Sequence, residues 1–259
     1  MDRVKLLIIY HSGVGNTKQV AEWMRKHLEE NNEVEIYSVE NLPKLLEYEK
    51  YDGVIMGFPT IHTHPTKRIM NFLERTERLK CSIPTFVYTT CGLCSANTLR
   101  IFCKRCKEKN FIPIRSASYR CKAIDGILLV PQVRFFSTYE RNIRNRIANE
   151  CDLFVSDLAK KSVIMRIPRF KLYSIMNYPN KLMGQLLTLP IYIHKHRCVK
   201  CTQCIIDCPA QAMEMDRVGY PMFNKTKCEK CYRCIHHCPK HALSLSKRKI
   251  PNSLWTADE

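Results

Sequence analysis

One pattern of cysteines occurs twice near the end of the chain and constrains its fold more than any other feature. The first copy reads Cys-x2-Cys-x2-Cys-x3-Cys-Pro from Cys198, and the second repeats this spacing from Cys228. The residues that follow are also alike, with Ala212-Met213 after the first copy and Ala242-Leu243 after the second. An internal repeat of this kind predicts two halves related by a pseudo-twofold axis.

Thiolates are soft ligands that suit iron–sulfur clusters, and the x2 spacing lets three of them converge on one [4Fe–4S] cubane from a single loop. Zinc is the alternative, but zinc sites usually use paired Cys-x2-Cys units instead of three evenly spaced cysteines. The chain has 15 cysteines and begins without a secretory signal pattern. We therefore expect a cytoplasmic location and metal binding, not a disulfide framework.

The doubled pattern closely resembles bacterial two-cluster ferredoxins over residues 194–246. In that family the fourth cysteine of each run ligates the other cluster. The resemblance therefore implies two [4Fe–4S] clusters with crossed ligands. Cluster I would take Cys198, Cys201, Cys204 and Cys238, and cluster II would take Cys228, Cys231, Cys234 and Cys208.

The first 160 residues alternate strand-like and helix-like segments. The predicted strands are Val4–Tyr10, Glu33–Val39, Gly53–Phe58, Thr85–Tyr88 and Ile112–Ser118, and the predicted helices are Asn16–Asn31, Thr66–Arg75, Ala96–Lys109 and Tyr139–Lys160. This alternation predicts an α/β fold with a doubly wound parallel sheet, which a small α+β module would follow. The stretch Gly126–Val130 reads as a strand but has no predicted place in the sheet.

Three loops follow the predicted strands at the edge where open α/β sheets bind ligands. The first is a glycine-rich turn, in which backbone N–H groups and hydroxyls form an anion site at a helix N-terminus. Its sequence fits neither the Walker A spacing nor G-x-G-x-x-G. The three loops are His11–Lys18, Gly57–His62 and Thr89–Cys94.

The three loops resemble the phosphate loop and the two isoalloxazine loops of flavodoxins, which implies a flavodoxin-like domain that binds FMN. Val14 departs from the family pattern, because it stands where flavodoxins have a threonine. The residues that the resemblance assigns to FMN are Ser12, Gly13, Gly15, Asn16, Thr17, Pro59, Thr60, Ile61, His62, Thr90, Cys91, Gly92, Leu93 and Cys94.

Two histidines lie where flavodoxins often stack an aromatic residue on the flavin. His62, the candidate catalytic residue, and His64 would be proton donors, because histidine titrates near neutral pH. The alternative is that both are surface loop residues.

Four cysteines outside the repeats are open to three interpretations, which are a third metal site, a redox dithiol and small core residues. They are Cys91, Cys94, Cys103 and Cys106.

A flavodoxin-like domain before a two-cluster ferredoxin resembles the fused flavodoxin–ferredoxin proteins. We predict domains at residues 1–160 and 194–246, a basic, proline-containing connector at 161–193 and a polar tail at 247–259. The expected function is electron transfer between clusters and FMN, and on to a partner protein or a small acceptor. The alternative is a nucleic-acid-binding protein with structural metal clusters.

The chain is strongly basic, with a formal net charge of +18. The connector contributes to this charge, since no acid lies between Leu158 and Ile206. The charge is consistent with docking to an acidic redox partner, with an anionic membrane surface, with nucleic acid, or with an interdomain clasp whose charges are solvated. Of the possible binding partners, we expect a redox protein before nucleic acid or a membrane.

Overall fold

The computed structural model describes residues 3–129, 133–160, 164–176 and 190–247. The chain forms two compact units. The first comprises residues 1–121 and 139–178, and the second comprises 122–138 and 179–259. The domain limits predicted above remain predictions. The division into units shows in addition that residues 122–138 belong with the cysteine-rich part of the chain. The tail from residue 248 and parts of the connector lie outside the described residues.

The first unit is built on a parallel sheet. Its strands are β1 (Lys5–Tyr10), β2 (Glu33–Ser38), β3 (Gly53–Ile61), β5 (Ile83–Cys91) and β6 (Phe111–Arg120), and a two-residue strand β4 (His64–Pro65) folds back on β3. The order is β2-β1-β3-β5-β6, with all five long strands parallel. This is the flavodoxin-like order, in which the ligand site lies where the winding reverses between β1 and β3.

Helices cover both faces of this sheet, as the predicted double winding requires. They are α1 (Asn16–Leu28), α2 (Lys67–Arg75), α3 (Thr98–Glu108) and α5 (Ile143–Ala159), and the four-residue helix α6 (Tyr173–Met176) follows them in the chain. Alternate residues of β1 enter two separate cores, with Leu6 and Ile8 packed beside residues of α1 and α5, and Leu7 and Ile9 beside those of α2 and α3. Burial on both faces explains why this strand reads as a continuous apolar run.

β3 extends further than its sequence predicts, because Pro59 does not end it. Pairing between β1 and β3 stops at Gly57, so the missing N–H of Pro59 costs no ladder bond on that side. The strand continues to Ile61, and Thr60 and Ile61 pair with β4. The result is a hairpin that projects from the carboxyl edge of the sheet.

The second unit shows the pseudo-twofold symmetry that the cysteine repeat predicts, with related residues 30 positions apart. Its elements are β7 (Tyr192–Ile193), α7 (Gln203–Ile206), β8 (Met213–Met215), β9 (Pro221–Phe223), α8 (Arg233–His236) and β10 (Leu243–Ser244). β7 pairs with β10 through Ile193 and Leu243, and β9 pairs with β8 through the related residues Phe223 and Met213. This is a small α+β fold, as expected.

The prediction of a strand at Gly126–Val130 is wrong over residues 126–129, because the chain forms the short helix α4 (Ile124–Leu129) there, and Val130 lies outside the described residues. A short apolar run fits a buried helix as well as a buried strand, and periodicity alone does not separate them. Leu128 packs against the core of the second unit, and Phe136 O accepts a hydrogen bond from Ala123 N. Across the described ranges, no helix is long and apolar enough to cross a membrane.

Candidate cofactor-binding sites

The loop between β1 and α1 is buried and tied to the neighbouring strand β5. Gly15 has a φ of 126°, which favours glycine, and its N–H donates to Ser12 Oγ at 3.1 Å. Thr17 Oγ1 lies 2.8 Å from Thr90 Oγ1, and Tyr88 donates from its hydroxyl to Thr17 O at 3.0 Å. The first turn of α1 carries no acidic residue that would repel an anion. The loop therefore has the rigidity and electrostatics of a phosphate site.

Tyr88 holds the phosphate loop only because Gly57 has no side chain. A Cβ built on Gly57 would lie 2.0 Å from the Tyr88 ring, far inside ordinary contact. Sequence reasoning placed Gly57 in the second loop without predicting this contact, and it did not assign Tyr88 to the site. The signal available in the sequence is a glycine within an otherwise apolar β3, which marks a close approach.

The second loop is the hairpin turn between β3 and β4. Its two central residues, His62 and Thr63, have φ values of 47° and 63°. A two-residue turn with positive φ at both positions is usually made of Asn and Gly, and a β-branched residue there is strained. Strain of this kind costs of order 1–3 kcal/mol per residue and clusters at functional sites. The turn presents His62 beyond the end of β3.

Threonine hydroxyls join the second and third loops. Thr60 Oγ1 lies 2.9 Å from Thr89 Oγ1, and Thr89 donates to Phe58 O at 2.8 Å. Thr90 and Cys91 are the last residues of β5, and Gly92, Leu93 and Cys94 continue from them, with Leu93 and Cys94 exposed. The structure thus brings all three predicted loops to one edge of the sheet.

Buried hydroxyls without partners show that this edge fits a polar ligand. Within the described residues, no hydrogen-bond partner is available for Thr66 Oγ1, Ser95 Oγ or Thr98 Oγ1. An unsatisfied buried hydroxyl costs about 1–3 kcal/mol. The three follow directly on the second and third loops, and the polar edge of an isoalloxazine ring would supply donors and acceptors of the required kind. The residues present fit FMN.

The thiols outside the repeats differ in their environments. The pKa of Cys91 is raised to about 12, by burial first and with a smaller contribution from neighbouring Cys94. Cys103 and Cys106 lie in the core beside α2, where burial raises the pKa of Cys103 to about 12 and that of Cys106 well above its usual value. Among the described residues, none of these four cysteines belongs to a group of three His, Cys, Asp or Glu side chains that could hold a single metal ion. Cys103 and Cys106 are therefore inert core residues at neutral pH.

The cysteine-rich unit brings together thiols from both repeats. One recess is lined by Cys198, Cys201 and Cys204 of the first run and by Cys238 of the second. Burial raises the pKa of Cys204 to about 11, with smaller contributions from Cys238, Cys198 and Cys201. The remaining lining is largely apolar, including Val199, Ile205, Met215, Pro221 and Leu243. This is the predicted ligand set of cluster I.

The thiols predicted for cluster II are also neighbours. The pKa of Cys231 is raised to about 11, by burial first and with smaller contributions from the nearby Cys228 and Cys208. The pKa of Cys234 is raised in the same way, by burial first and then by Cys231, Cys228 and Cys208. Cys208 therefore lies beside the second run, although it belongs to the first. Four soft thiols brought together in this way fit an iron–sulfur cluster.

Backbone N–H groups point at several of these sulfurs, which sequence reasoning did not predict. Ala212 N donates to Cys208 Sγ and Ala242 N to Cys238 Sγ, both at 3.2 Å. Left-handed backbone recurs at related positions, in the pairs Lys200 and Lys230, Thr202 and Tyr232, and Gln211 and His241. Hydrogen bonds to cluster sulfurs are one of the ways in which a protein sets a cluster's reduction potential.

The comparisons with known proteins agree with this architecture. A flavodoxin domain model matches residues 7–140, which is more than half of the chain, so the chain belongs to the flavodoxin domain family. A 4Fe–4S dicluster domain model matches residues 197–243. The chain is therefore a fused flavodoxin–ferredoxin protein, and it belongs to the electron-transfer proteins that use flavin and iron–sulfur chemistry.

Solved structures similar to this chain include oxidised flavodoxin 1 from Bacillus cereus, which is 18% identical, with 59% of this chain and 97% of that chain covered and a TM-score of 0.47. A flavodoxin from the domain Archaea is 16% identical, with 61% of this chain and 97% of that chain covered and a TM-score of 0.42. A mutant flavo di-iron protein from Thermotoga maritima is 17% identical, with 61% of this chain and 36% of that chain covered and a TM-score of 0.43. No curated protein matches the chain.

Proposed function

We propose that the chain is a cytoplasmic electron-transfer protein with one FMN on its first unit and two [4Fe–4S] clusters on its second. Such clusters exchange single electrons and flavin exchanges one or two, so the combination links one-electron partners to a two-electron reaction. When bound, the clusters and the flavin would carry electrons between an external donor and a partner protein or a small acceptor, in either direction.

One observation carries the proposal, namely the recess that unites Cys238 with the three cysteines of the other run. Crossed ligation of this kind characterises two-cluster ferredoxins and holds the clusters close together. Cluster I is held by Cys198, Cys201, Cys204 and Cys238, and cluster II by Cys228, Cys231, Cys234 and Cys208. The N–H groups of Ala212 and Ala242 keep the fourth thiolate of each set oriented.

Different residues of the chain serve the phosphate, the ring and proton transfer at the flavin site. The phosphate is bound by the N–H groups and hydroxyls of Ser12–Thr17, at the N-terminus of α1. Pro59–His62 and Thr90–Cys94 hold the ring, and Ser95 and Thr98 offer it their buried hydroxyls. His62, displayed on its strained turn, would supply or accept a proton near the ring, a role that suits the histidine side chain.

Paired cysteine variants of the full chain test the crossed ligand sets. If Cys198 and Cys238 serve one cluster, Cys198→Ala with Cys238→Ala damages cluster I alone, and iron falls from about eight to about four atoms per chain. Cys228→Ala with Cys238→Ala damages both clusters, and nearly all the iron is lost. The opposite pattern, with about four iron atoms only in the second variant, would show that each run serves its own cluster.

Iron analysis of the same preparations also tests the nucleic-acid alternative. Zinc in place of iron, without flavin and with salt-dependent binding to DNA or RNA, would refute the proposed function. Steady turnover of a small acceptor without any added protein would assign the flavin edge to catalysis. Reduction of an added redox protein alone would make the chain a carrier.

A further inference from the structure

The two halves of the cysteine-rich unit are related by symmetry but are not equally covered. His236 on α8 is 5% exposed, whereas the related Ile206 on α7 is 74% exposed. The difference has an identifiable cause in the chain. His236 Nε2 lies 3.2 Å from Ile124 O, and Leu128 packs against the same core, so the segment 122–138 covers the second half. No related segment covers the first half among the described residues.

The open half exposes a thiol and apolar side chains together. Cys201 is exposed, and the other seven repeat cysteines, all within the described ranges, are buried or intermediate. Beside it on the rim of the cluster I recess, Val199 is 57% and Met215 40% exposed. Val218, which is 66% exposed, adjoins them because its carbonyl accepts a hydrogen bond from Lys200 Nζ at 2.8 Å. We call Val199, Lys200, Cys201, Met215 and Val218 the cluster I face.

Positive charge surrounds this face. Lys195 and Lys200 place their ammonium groups 5.0 and 4.5 Å from the centre of the Tyr220 ring, and exposed Lys240 also lines the recess. The acid of the adjoining turn, Asp216, has a pKa held below its usual value because its carboxylate accepts N–H bonds from Tyr220 and Val218. Asp216 therefore stays negatively charged, but Lys195, Lys200 and Lys240 outnumber it, so the rim is net cationic around an apolar centre, where an iron–sulfur ligand reaches the surface.

We propose that the cluster I face is the docking surface for an acidic electron-donor protein. This inference rests on the proposed function, since it requires a redox cluster behind Cys201. Electron transfer weakens steeply with distance, so a donor reacts fastest where a cluster ligand is exposed. Basic rim residues steer an acidic partner into the encounter and fix its orientation, and the apolar centre excludes water once the complex forms.

The chain offers variants that separate docking from folding. Val199→Glu introduces the residue type that the second repeat carries at the related position, Glu229, so the loop accommodates it. Lys195→Gln removes one charge from the rim. Lys225→Gln is the matched control, because Lys225 is the exposed residue 30 positions after Lys195 and lies outside the cluster I face.

The measurement is the second-order rate at which a reduced, acidic [2Fe–2S] ferredoxin of plant type reduces the anaerobic full-length holoprotein, followed by stopped flow. We expect about tenfold slower reduction for Val199→Glu and about threefold slower for Lys195→Gln at low salt, with Lys225→Gln within about twofold of wild type. The wild-type rate falls as ionic strength rises, because salt screens the steering charges. Reduction by dithionite, which needs no docking, stays equal in all four proteins.

Equal rates with the ferredoxin in all four proteins, at full cluster content, would overturn the docking surface and leave the proposed function intact. Absence of reducible clusters from the wild type would instead refute the proposed function itself. A wild-type dimer that Val199→Glu dissociates would assign the face to a second copy of the chain, and would also overturn the proposal. Slowing with dithionite as well would show that the variants damage the cluster and not the docking.

Discussion

Replacing Gly57 with alanine should weaken FMN binding as well as the fold. The added Cβ would lie 2.0 Å from the Tyr88 ring, and ordinary contact begins at 3.4 Å, so the ring must retreat by about 1.4 Å. Tyr88 then loses its 3.0 Å hydrogen bond to Thr17 O, which holds the phosphate loop against β5. The substitution therefore acts on the FMN site through a buried side chain.

The energetic cost follows from two contributions. Overpacking a buried site costs about 1–3 kcal/mol, and a lost hydrogen bond costs about 1 kcal/mol. If even 1.4 kcal/mol of this cost falls on the geometry of the phosphate loop, the Kd for FMN rises about tenfold. We expect a rise of at least that size for Gly57→Ala.

Gly53→Ala is the matched control on the same strand. Its Cβ would lie 2.9 Å from Phe154 and 3.0 Å from Leu158, at the opposite end of β3 from the flavin loops. Overpacking there should lower the free energy of unfolding by about 1–3 kcal/mol and leave the FMN Kd within about twofold. Titration of each apoprotein with FMN, followed by flavin fluorescence, measures the Kd, and urea unfolding measures stability. Equal FMN affinity in the two variants would refute the reasoning.

Three further predictions concern the same unit. Thr63→Gly should raise the free energy of unfolding by about 0.5–1 kcal/mol, because glycine adopts a φ of 63° without the strain of a β-branched residue. Urea unfolding measures this change, and a loss of stability would contradict the prediction. His62→Asn tolerates the same backbone but cannot exchange a proton near pH 7, so it should remove the histidine-dependent limb from the pH profile of acceptor reduction, and an unchanged profile would exclude a proton-transfer role. Burial raises the pKa of Cys103 to about 12, so this thiol should stay unmodified by iodoacetamide at pH 8 while the exposed Cys94 is alkylated. Mass spectrometry of the folded holoprotein measures the labelling, and labelling of Cys103 before Cys94 would contradict the buried environment.

Much of the architecture could be predicted because single residues or short spacings determine it. The apolar run of β1 enters two cores at once, and the doubled cysteine run sets the pseudo-symmetry to which strand pairing and left-handed backbone both conform. The order of the loops after β1, β3 and β5 places them at one sheet edge, because parallel strands end on the same side.

Other features depend on contacts between residues that are distant in sequence. The helix at Ile124–Leu129 packs on a core built more than 60 residues later, so its apolar run alone did not distinguish helix from strand. The continuation of β3 past Pro59 depends on where pairing with β1 stops, and the buried hydroxyls of Ser95 and Thr98 depend on how the third loop packs. Sequence periodicity contains none of this information.

Cofactor analysis of the full chain, purified without oxygen, tests the central claim most directly. Iron, acid-labile sulfide and acid-released flavin would be counted per chain, and the visible spectrum recorded before and after dithionite. The account predicts about eight iron, about eight sulfide and one FMN, with absorbance that bleaches on reduction. Zinc without sulfide, or a chain that binds no flavin, would contradict it.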